Sequence, residues 1–302
     1  MIGLGRMGAN MARRLARGGI RVLGQDVNAP AREALASETG VQTVDTLDAL
    51  IHKFPGPRVF WLMLPAGPIT QATLDRLATQ ASPGDVIVDG GNAFYKDSQK
   101  RAQMLAGKGI EFVDCGVSGG VWGLENGYTL TLGGSPSAVA KLEAFARILA
   151  PSDKGWLHCG PAGAGHFVKM VHNGIEYGAM QAYDEGFALL AAKTDLNLDV
   201  AKIAETWRHG SVIRSWLLDL TAEMLQQKPD FDAIAPIVQD SGEGRWTALE
   251  SVELGVPTPV MSLALMMRFT TQGKNDYPAK LLALMRNAFG GHAMAKGKST
   301  PQ

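Results

Sequence analysis

A set of five polar side chains at helical spacing is the part of the sequence best suited to chemistry. Lys169, His172, Asn173, Glu176 and Tyr177 lie at positions i, i+3, i+4, i+7 and i+8. At about 100° per residue these positions share one face of a helix and span roughly 140°. That spacing usually carries the apolar stripe that packs a helix into a core. The segment is therefore predicted to be a helix whose polar face offers a base, an imidazole, an amide, a carboxylate and a phenol.

The other faces of this segment are apolar or small. They carry Phe167, Val168, Met170, Val171 and Ile175, together with Gly174 and Gly178. An exposed helix face is the simpler interpretation of any one of the polar residues. It fits all five together poorly, because the remaining faces are too apolar for solvent. We therefore expect a helix that is buried on most sides and whose polar face lines a pocket.

Composition and charge indicate a globular protein. The chain has 302 residues, 46% of them hydrophobic, and its 29 Lys and Arg balance its 29 Asp and Glu. This length predicts two domains, and the balanced charge lacks the basic excess of nucleic-acid-binding proteins. No apolar run approaches the ~20 residues of a membrane span, and no secretory leader precedes the first strand. Cys115 and Cys159 do not suggest a disulfide framework, and no cluster of metal ligands stands out, so we expect a cytoplasmic enzyme without a metal.

The first residues predict a dinucleotide site. Gly3-Leu4-Gly5-Arg6-Met7-Gly8 has the pattern G-x-G-x-x-G and is followed by a helical pattern. The glycines permit a tight turn, close approach of a pyrophosphate and close helix packing, and the helix N-terminus attracts the phosphates. The motif alone is weak evidence in a chain with 36 glycines. Because only Met1 and Ile2 precede it, we expect the first strand to be shortened at its start.

An acidic residue strengthens this interpretation and indicates the cofactor. A second strand, residues 20–26, ends in Asp26, which lies 18 residues beyond Gly8, where a partner for the ribose 2′-hydroxyl is expected. A carboxylate there accepts from the hydroxyl of NAD and repels the 2′-phosphate of NADP. Arg32 could favour the phosphate, but it falls inside the following predicted helix. We expect NAD to be preferred over NADP.

The alternation of strands and helices continues to about residue 150 and predicts a doubly wound parallel sheet of the Rossmann type. Further strands are predicted at residues 59–65, 86–89, 111–115 and 128–134, and helices at residues 70–79 and 137–148. Small or polar residues follow several strands: Pro65-Ala66-Gly67, Gly90-Gly91-Asn92 and Ser118-Gly119-Gly120. These could be simple tight turns. Because ligands bind beyond the carboxyl ends of such strands, a binding edge is the favoured interpretation.

In the second half of the chain the strand pattern stops and helical periodicity takes over. The change follows Gly160-Pro161-Ala162-Gly163. We predict a dinucleotide-binding Rossmann domain over residues 1–160 and an all-helical substrate and oligomerisation domain over residues 161–302. The helix with the polar face is expected to continue through Leu190. Further helices are predicted at residues 198–208, 214–226, 246–255, 259–270 and 278–287.

Four segments together resemble one enzyme family. They are Gly-Leu-Gly-Arg-Met-Gly at 3–8, Asp-Gly-Gly-Asn at 89–92, Gly-Val-Ser-Gly-Gly at 116–120 and Gly-His-Phe-Val-Lys-Met-Val-His-Asn-Gly-Ile-Glu-Tyr-Gly at 165–178. The sequence resembles 6-phosphogluconate dehydrogenase, the decarboxylating enzyme of the pentose phosphate pathway, in its short NAD-type branch. The last segment is specific, because related β-hydroxyacid dehydrogenases keep the lysine and an asparagine but not His172 and Glu176.

The resemblance implies a role for each matching residue. It implies Lys169 as general base and Glu176 as general acid in the oxidative decarboxylation of 6-phosphogluconate to ribulose 5-phosphate and CO2. The implied substrate contacts are Asn92, Ser118, Gly119, Gly120, His172, Asn173, Tyr177, Arg268, Arg286 and His292. The predicted cofactor contacts are Gly3, Leu4, Gly5, Arg6, Met7, Gly8, Asp26, Pro65, Ala66 and Asn92. Arg286 and His292 would reach the phosphate end of a neighbouring subunit's site, in a homodimer or homotetramer.

One segment departs from the family pattern. The long branch typically has Lys-Gly-Thr-Gly-Lys-Trp where this chain has Ser241-Gly242-Glu243-Gly244-Arg245-Trp246. The phosphate-binding lysine is therefore Ser241 here. How the phosphate is held on this side is left open by the sequence.

Two other functions compete with this one. A β-hydroxyacid dehydrogenase of the 3-hydroxyisobutyrate type would share the fold and the lysine but would not decarboxylate. A nicotinamide-sensing regulatory protein would keep Gly3, Gly5 and Gly8 but would have no reason to keep Lys169 and Glu176 on one face.

Overall fold

The computed structural model describes residues 1–37, 41–290 and 293–295. The chain divides into two compact units, Met1–His172 and Asn173–Gln302. The division falls inside a long helix that begins at Ala164, just after the predicted domain boundary. The boundary at residue 160 stays a prediction.

The first unit alternates strands and helices. Its strands are β1 (Val22–Gln25), β2 (Val41–Val44), β3 (Val59–Leu62), β4 (Val86–Asp89), β5 (Glu111–Ser118), β6 (Thr129–Gly134) and β7 (Trp156–Gly160). Its helices are α1 (Arg6–Arg17), α2 (Ala29–Ala36), α3 (Leu47–His52), α4 (Pro68–Gln80), α5 (Tyr95–Ala106), α6 (Gly123–Asn126), α7 (Pro136–Lys141) and α8 (Glu143–Leu149). The Rossmann-type α/β fold is confirmed.

The start of the chain lies in the middle of the sheet. β1 pairs with β2, and β3 to β7 form a row in chain order. Ile2 forms parallel bridges to Gln25 of β1 and Leu62 of β3, and its N–H donates to the Trp61 carbonyl at 2.8 Å. The short segment before the glycine motif therefore joins the two groups of strands, which leaves that motif at the carboxyl edge of the sheet.

The sheet is parallel only in part. β3, β4 and β5 run parallel, whereas β6 is antiparallel to β5 and β7 is parallel to β6. The prediction of a wholly parallel sheet is thus wrong from β6 onward. The reason is the short connection, residues 119–128, because a parallel return needs a crossover of a dozen or more residues.

Apolar side chains bury both faces of the central strands. On β4, Val86 and Val88 belong to one hydrophobic cluster and Ile87 to a second one. On β5, Val113 and Cys115 join the first cluster and Phe112 joins the second. Alternate residues thus pack on opposite faces, which fixes the register of the strands.

Beyond Gly160 the described residues form helices, as predicted for the all-α domain. These helices are α9 (Ala164–Ala192), α10 (Val200–Arg208), α11 (Trp216–Gln226), α12 (Glu243–Leu254), α13 (Pro259–Thr271) and α14 (Asp276–Gly290). In the described part of the chain, no helix is both long and apolar enough to cross a lipid bilayer.

The long helix α9 is less buried than its composition suggested. Val168 is 39% exposed and Ile175 is 60% exposed. The expectation of a helix buried on most sides is therefore wrong for these apolar positions. On the polar face, in contrast, Lys169 is only 7% exposed and Tyr177 is also buried.

Candidate active site

The glycine motif forms an open cradle at the start of α1. Gly3 has a φ of 89°, and a Cβ there would overlap the Met63 carbonyl oxygen. A Cβ at Gly8 would overlap the Gly3 carbonyl, so this glycine lets α1 pack against the turn. A Cβ at Gly5, in contrast, would meet no described atom within 4 Å. No described side chain caps the helix at Gly5, so the N–H groups of residues 6–8 at the start of α1 can receive an anion.

Asp26 is fixed beside this cradle. Its Oδ2 accepts the N–H of Leu4 at 2.6 Å, and its Oδ1 accepts the N–H of Asn28 at 2.8 Å. Each carboxylate oxygen can accept a second hydrogen bond, so the side chain can still receive ribose hydroxyls. The guanidinium of Arg32 donates to the carbonyl oxygens of Asp26 and Val27. These residues fit a dinucleotide, with its pyrophosphate at α1 and a ribose at Asp26.

Two strand ends meet at Asn92. Its side chain accepts the N–H of Val117 at 3.2 Å and donates to the Val117 carbonyl at 3.4 Å. Asn92 has a φ of 50°, in the left-handed region where asparagine is tolerated better than most residues. The structure thus brings Asn92 to the end of β5, beside the predicted substrate contacts Ser118, Gly119 and Gly120.

The predicted cofactor contacts Pro65 and Ala66 follow β3, where the Pro65 carbonyl accepts a hydrogen bond from the Thr70 hydroxyl.

The first half of α9 carries the predicted base. The Lys169 Nζ lies 3.4 Å from Nδ1 of His172, so the structure brings these two predicted residues together. A Cβ at Gly116 of β5 would overlap the Cβ of Lys169. Only glycine at this position lets the strand approach the helix so closely, two residues before Ser118.

The second half of α9 carries Asn173, Glu176 and Tyr177. The hydroxyl of Tyr177 lies 2.9 Å from Oγ of Ser241, which donates to a Glu243 carboxylate oxygen at 2.6 Å. Burial raises the pKa of Tyr177 above its usual value, and its hydrogen bond with Ser241 offsets part of this increase. Asn173 and Glu176 are half-buried on the same helix.

Arg268 lies over the ring of Tyr177. Its Cζ is 3.4 Å from the ring centroid, and one guanidinium nitrogen donates to the Gln239 carbonyl at 2.8 Å. Such stacking holds a guanidinium in one plane and leaves other N–H groups for an anion. Tyr177 thus contacts both Arg268 and Ser241, the residue at the position of the family lysine.

Comparison with known proteins decides the family. Residues 1–154 match the NAD binding domain of 6-phosphogluconate dehydrogenase, and residues 165–277 match the C-terminal domain of that enzyme. The chain belongs to the 6-phosphogluconate dehydrogenase family. The predicted family, the oxidoreductase class and the nicotinamide cofactor are thereby confirmed.

Individual relatives within the 6-phosphogluconate dehydrogenase family match over most of this chain. A Bacillus subtilis protein provisionally named as a 6-phosphogluconate dehydrogenase is 39% identical over 98% of both chains. A Haloferax volcanii protein named as the NAD(+)-dependent, decarboxylating enzyme is 38% identical, again over 98% of both chains. The structure of the Plasmodium falciparum enzyme superimposes with a TM-score of 0.83 at 28% identity and covers 99% of this chain and 66% of that one.

The C-terminal contacts expected of a 6-phosphogluconate dehydrogenase are only partly described. Arg286 is exposed on α14, which continues to Gly290. The last helix, predicted over residues 278–287, extends three residues further, so Arg286 lies within it and not on a turn at the glycine pair. His292 lies outside the described residues.

Sequence reasoning did not identify the buried groups that hold the predicted site of this dehydrogenase in place. Asp89 accepts from the N–H of Gly91 at 3.1 Å and from the guanidinium of Arg101 at 2.8 Å, just before Asn92. Asp114 of β5 accepts N–H groups of Gly163 and His166 at the start of α9. Burial raises the pKa of Asp114, while His166 and the two N–H donors act in the opposite direction. Both carboxylates could have been recognised in the sequence, because each is an acidic residue within an apolar strand.

Within the described ranges, no group of three or more His, Cys, Asp or Glu could hold a metal ion. Cys115 and Cys159 are both free thiols, and Cys115 is fully buried. Burial raises the pKa of both thiols. Because a thiolate is the reactive form, Cys115 is best described as a packed core residue of this dehydrogenase.

Proposed function

We propose that this protein oxidises 6-phosphogluconate with NAD and releases CO2, forming ribulose 5-phosphate in the pentose phosphate pathway. The observation that carries the proposal is the placement of Lys169. The residue is 7% exposed, its amine is 3.4 Å from Nδ1 of His172, and its Cβ packs against Gly116 of β5. A buried amine beside the carboxyl end of a Rossmann strand suits the removal of a hydroxyl proton.

In the first step Lys169 acts as general base. Loss of a hydride from C3 of the sugar acid requires that the proton of the C3 hydroxyl be removed at the same time. Only the neutral amine can accept it, and burial disfavours the charged form of a lysine. NAD, when bound at α1, supplies the hydride acceptor. Asn92, Ser118, Gly119, Gly120, His172 and Asn173 are proposed to orient the hydroxyls and the carboxylate.

The second step is loss of CO2 from the 3-keto acid. The bond between C1 and C2 breaks, and its electron pair forms the double bond of an enediol while the C3 carbonyl becomes a hydroxyl. Lys169, now protonated, donates the proton that the C3 oxygen needs. Glu176, two helical turns beyond Lys169, then delivers a proton to the carbon that carried the carboxylate, while the C3 hydroxyl returns its proton to Lys169 and becomes the ketone of ribulose 5-phosphate.

The phosphate is proposed to bind at Tyr177, Ser241 and Arg268. Arg268 stacks on Tyr177, so its guanidinium is already oriented for two parallel hydrogen bonds to phosphate oxygens. Among these three side chains Arg268 carries the positive charge, because Ser241 replaces the family lysine. The hydroxyl of Ser241 donates to Glu243. Glu243 also adds a negative charge, and further positive groups are needed to balance a phosphate dianion.

A steady-state assay with 6-phosphogluconate and either NAD or NADP tests this function. We expect one CO2 for each NADH formed, and a higher kcat/KM with NAD, because Asp26 accepts from a 2′-hydroxyl and repels a 2′-phosphate. Reduction of NAD without CO2 would favour the 3-hydroxyisobutyrate type of reaction. A higher kcat/KM with NADP would contradict the cofactor preference.

We propose that the enzyme is a cytoplasmic homodimer or homotetramer in which Arg286 and His292 complete the neighbouring subunit's site. Large apolar side chains are exposed on the last three helices: Leu249 and Val252 on α12, Val260 and Leu263 on α13, and Leu282 and Met285 on α14. Exposed apolar side chains grouped on neighbouring helices are typical of protein–protein interfaces. Arg286 lies on the same helix as Leu282 and Met285. This supports the proposal that Arg286 contacts a partner subunit.

Mixing two inactive variants tests the shared site. Lys169→Met lacks the base and Arg286→Ala lacks the phosphate contact. In a hybrid dimer with shared sites, one site carries both defects and the other carries neither, so activity should reappear once subunits exchange. Exchange is verified by native mass spectrometry of differently labelled chains. No recovery in proven hybrids would mean that Arg286 does not serve the partner's site.

A further inference from the structure

A buried carboxylate holds the start of the helix that carries the proposed base. Asp114 lies in β5 and is fully buried. Its Oδ1 accepts the N–H of Gly163 at 2.6 Å, and its Oδ2 accepts the N–H of His166 at 2.7 Å. Both oxygens of one strand residue therefore bind the first turn of α9. A carboxylate at this end of a helix is also favoured by the helix dipole.

The same turn is fitted tightly to the two strands beside it. A Cβ at Gly165 would overlap the carbonyl oxygens of Thr131 and Asp114. The hydroxyl of Thr131 donates to the Gly165 carbonyl at 3.0 Å. Contacts of this kind on both sides restrict rotation of the helix about its axis and sliding along it. Lys169 follows Gly165 by four residues, about one turn, so its direction is set by the same contacts.

A third contact ties the turn to the helix that follows Asn92. The Nδ1 of His166 lies 2.8 Å from the hydroxyl of Ser98 on α5, and both side chains are buried. The rings of Tyr95 and Phe167 meet edge to face at 5.2 Å. The first turn of α9 is thus anchored to α5 as well as to β5 and β6.

We propose that Asp114 is a positioning residue for Lys169. Its two charge-assisted hydrogen bonds fix the rotation and the axial position of the first turn of α9, and thereby the point where the Lys169 amine meets the hydroxyl that loses its proton. This inference rests on the proposed role of Lys169. It distinguishes Asp114 from an ordinary helix cap, which would contribute to stability alone.

The chain offers a matched control in Asp85. This carboxylate is fully buried just before β4 and accepts the N–H groups of Arg58 at 2.7 Å and Ser82 at 2.8 Å. It also binds the Arg58 guanidinium. Asp85 therefore performs a similar structural task at the amino edge of the sheet, the edge opposite to Asn92 and Ser118.

The experiment compares Asp114→Asn with Asp85→Asn in the full-length protein. Asparagine keeps the shape of the side chain but has one acceptor oxygen instead of two. We expect kcat of Asp114→Asn to fall by about 10²-fold, the loss caused by a misplacement of about 1 Å, while KM for 6-phosphogluconate stays near the wild-type value. Asp85→Asn should lower the unfolding midpoint in urea but leave kcat close to wild type.

Two further measurements make the outcome decisive. Thr131→Val removes the hydroxyl that donates to Gly165 and keeps the side-chain shape. It should lower kcat, but by less than Asp114→Asn does. This variant tests the inference even if Asp114→Asn does not fold. The rate at which an amine-reactive reagent labels Lys169, read by peptide mass spectrometry, needs no turnover. We expect faster labelling in the Asp114 and Thr131 variants than in wild type or Asp85→Asn.

The inference fails if Asp114→Asn folds with the kcat of Asp85→Asn, if only KM changes, or if Lys169 labelling is unchanged in both variants near α9. These results are separable from failure of the proposed function. Absence of wild-type turnover with 6-phosphogluconate would reject the function, whereas the labelling rates would still decide whether Asp114 positions Lys169.

Discussion

Replacing Lys169 with methionine should abolish oxidation of 6-phosphogluconate and leave the fold intact. Methionine has a similar length and an unbranched apolar stem, so it can fill the buried space that the lysine occupies. It has no group that can take a proton. Because a general base contributes roughly 10²–10⁴-fold to a rate, kcat should fall at least this far. NADH formation, followed by absorbance at saturating substrate and cofactor, measures the loss.

The control is an exposed lysine on another helix. Lys202 on α10 is exposed and pairs with Asp199, so Lys202→Met should leave kcat near the wild-type value. Circular dichroism and the urea midpoint should be similar for both variants. If Lys169→Met kept more than a tenth of the wild-type activity, Lys169 would not be the base.

The features that could be predicted from the sequence are those governed by local spacing. The glycine motif and its helix, the strands that became β3 to β6, and the polar face of α9 all depend on residues close together in the chain. Helices α10 to α13 begin or end within a few residues of the predicted positions. The periodicity of α9 also grouped Lys169 with His172, which the structure places 3.4 Å apart.

Features that depend on distant residues were missed. β2 and β7 are short strands of four and five residues whose mixed composition gives little periodic signal. The direction of β6 depends on the length of the loop before it, not on the pattern of the strand. The exposure of Val168 and Ile175 could not be read from their apolar character, since apolar side chains are also exposed where a protein associates with a partner.

The supporting residues of the site were missed for a related reason. Asp89 and Asp114 occupy paired positions on β4 and β5. Asp89 binds an arginine 12 residues on, and Asp114 binds backbone groups 49 and 52 residues on. A carboxylate in an apolar strand gives no indication of its partner. Only the fold shows that one carboxylate holds the loop of Asn92 and the other holds the start of α9.

Replacing Glu176 with glutamine should separate the early steps of the reaction from the last one. Proton removal at C3 depends on Lys169, and loss of CO2 depends on the keto acid, so neither step needs a carboxyl group at residue 176. Protonation of the enediol does. We therefore expect steady-state turnover to fall by roughly 10²–10⁴-fold, the contribution of a general acid. In rapid-mixing experiments, one NADH per site should form quickly before this slow phase.

A burst of this kind identifies the step that Glu176 serves. If the carboxyl group acted in oxidation, the first turnover would be as slow as later ones and no burst would appear. Glu185, on the same helix and hydrogen-bonded to Gln181 at 2.9 Å, gives a matched variant, since Glu185→Gln makes the same change farther along α9 and should turn over at the wild-type rate. Product analysis adds an independent measure, because CO2 and NADH should precede ribulose 5-phosphate in the Glu176→Gln reaction. Simultaneous appearance of all three would assign the last protonation to another group.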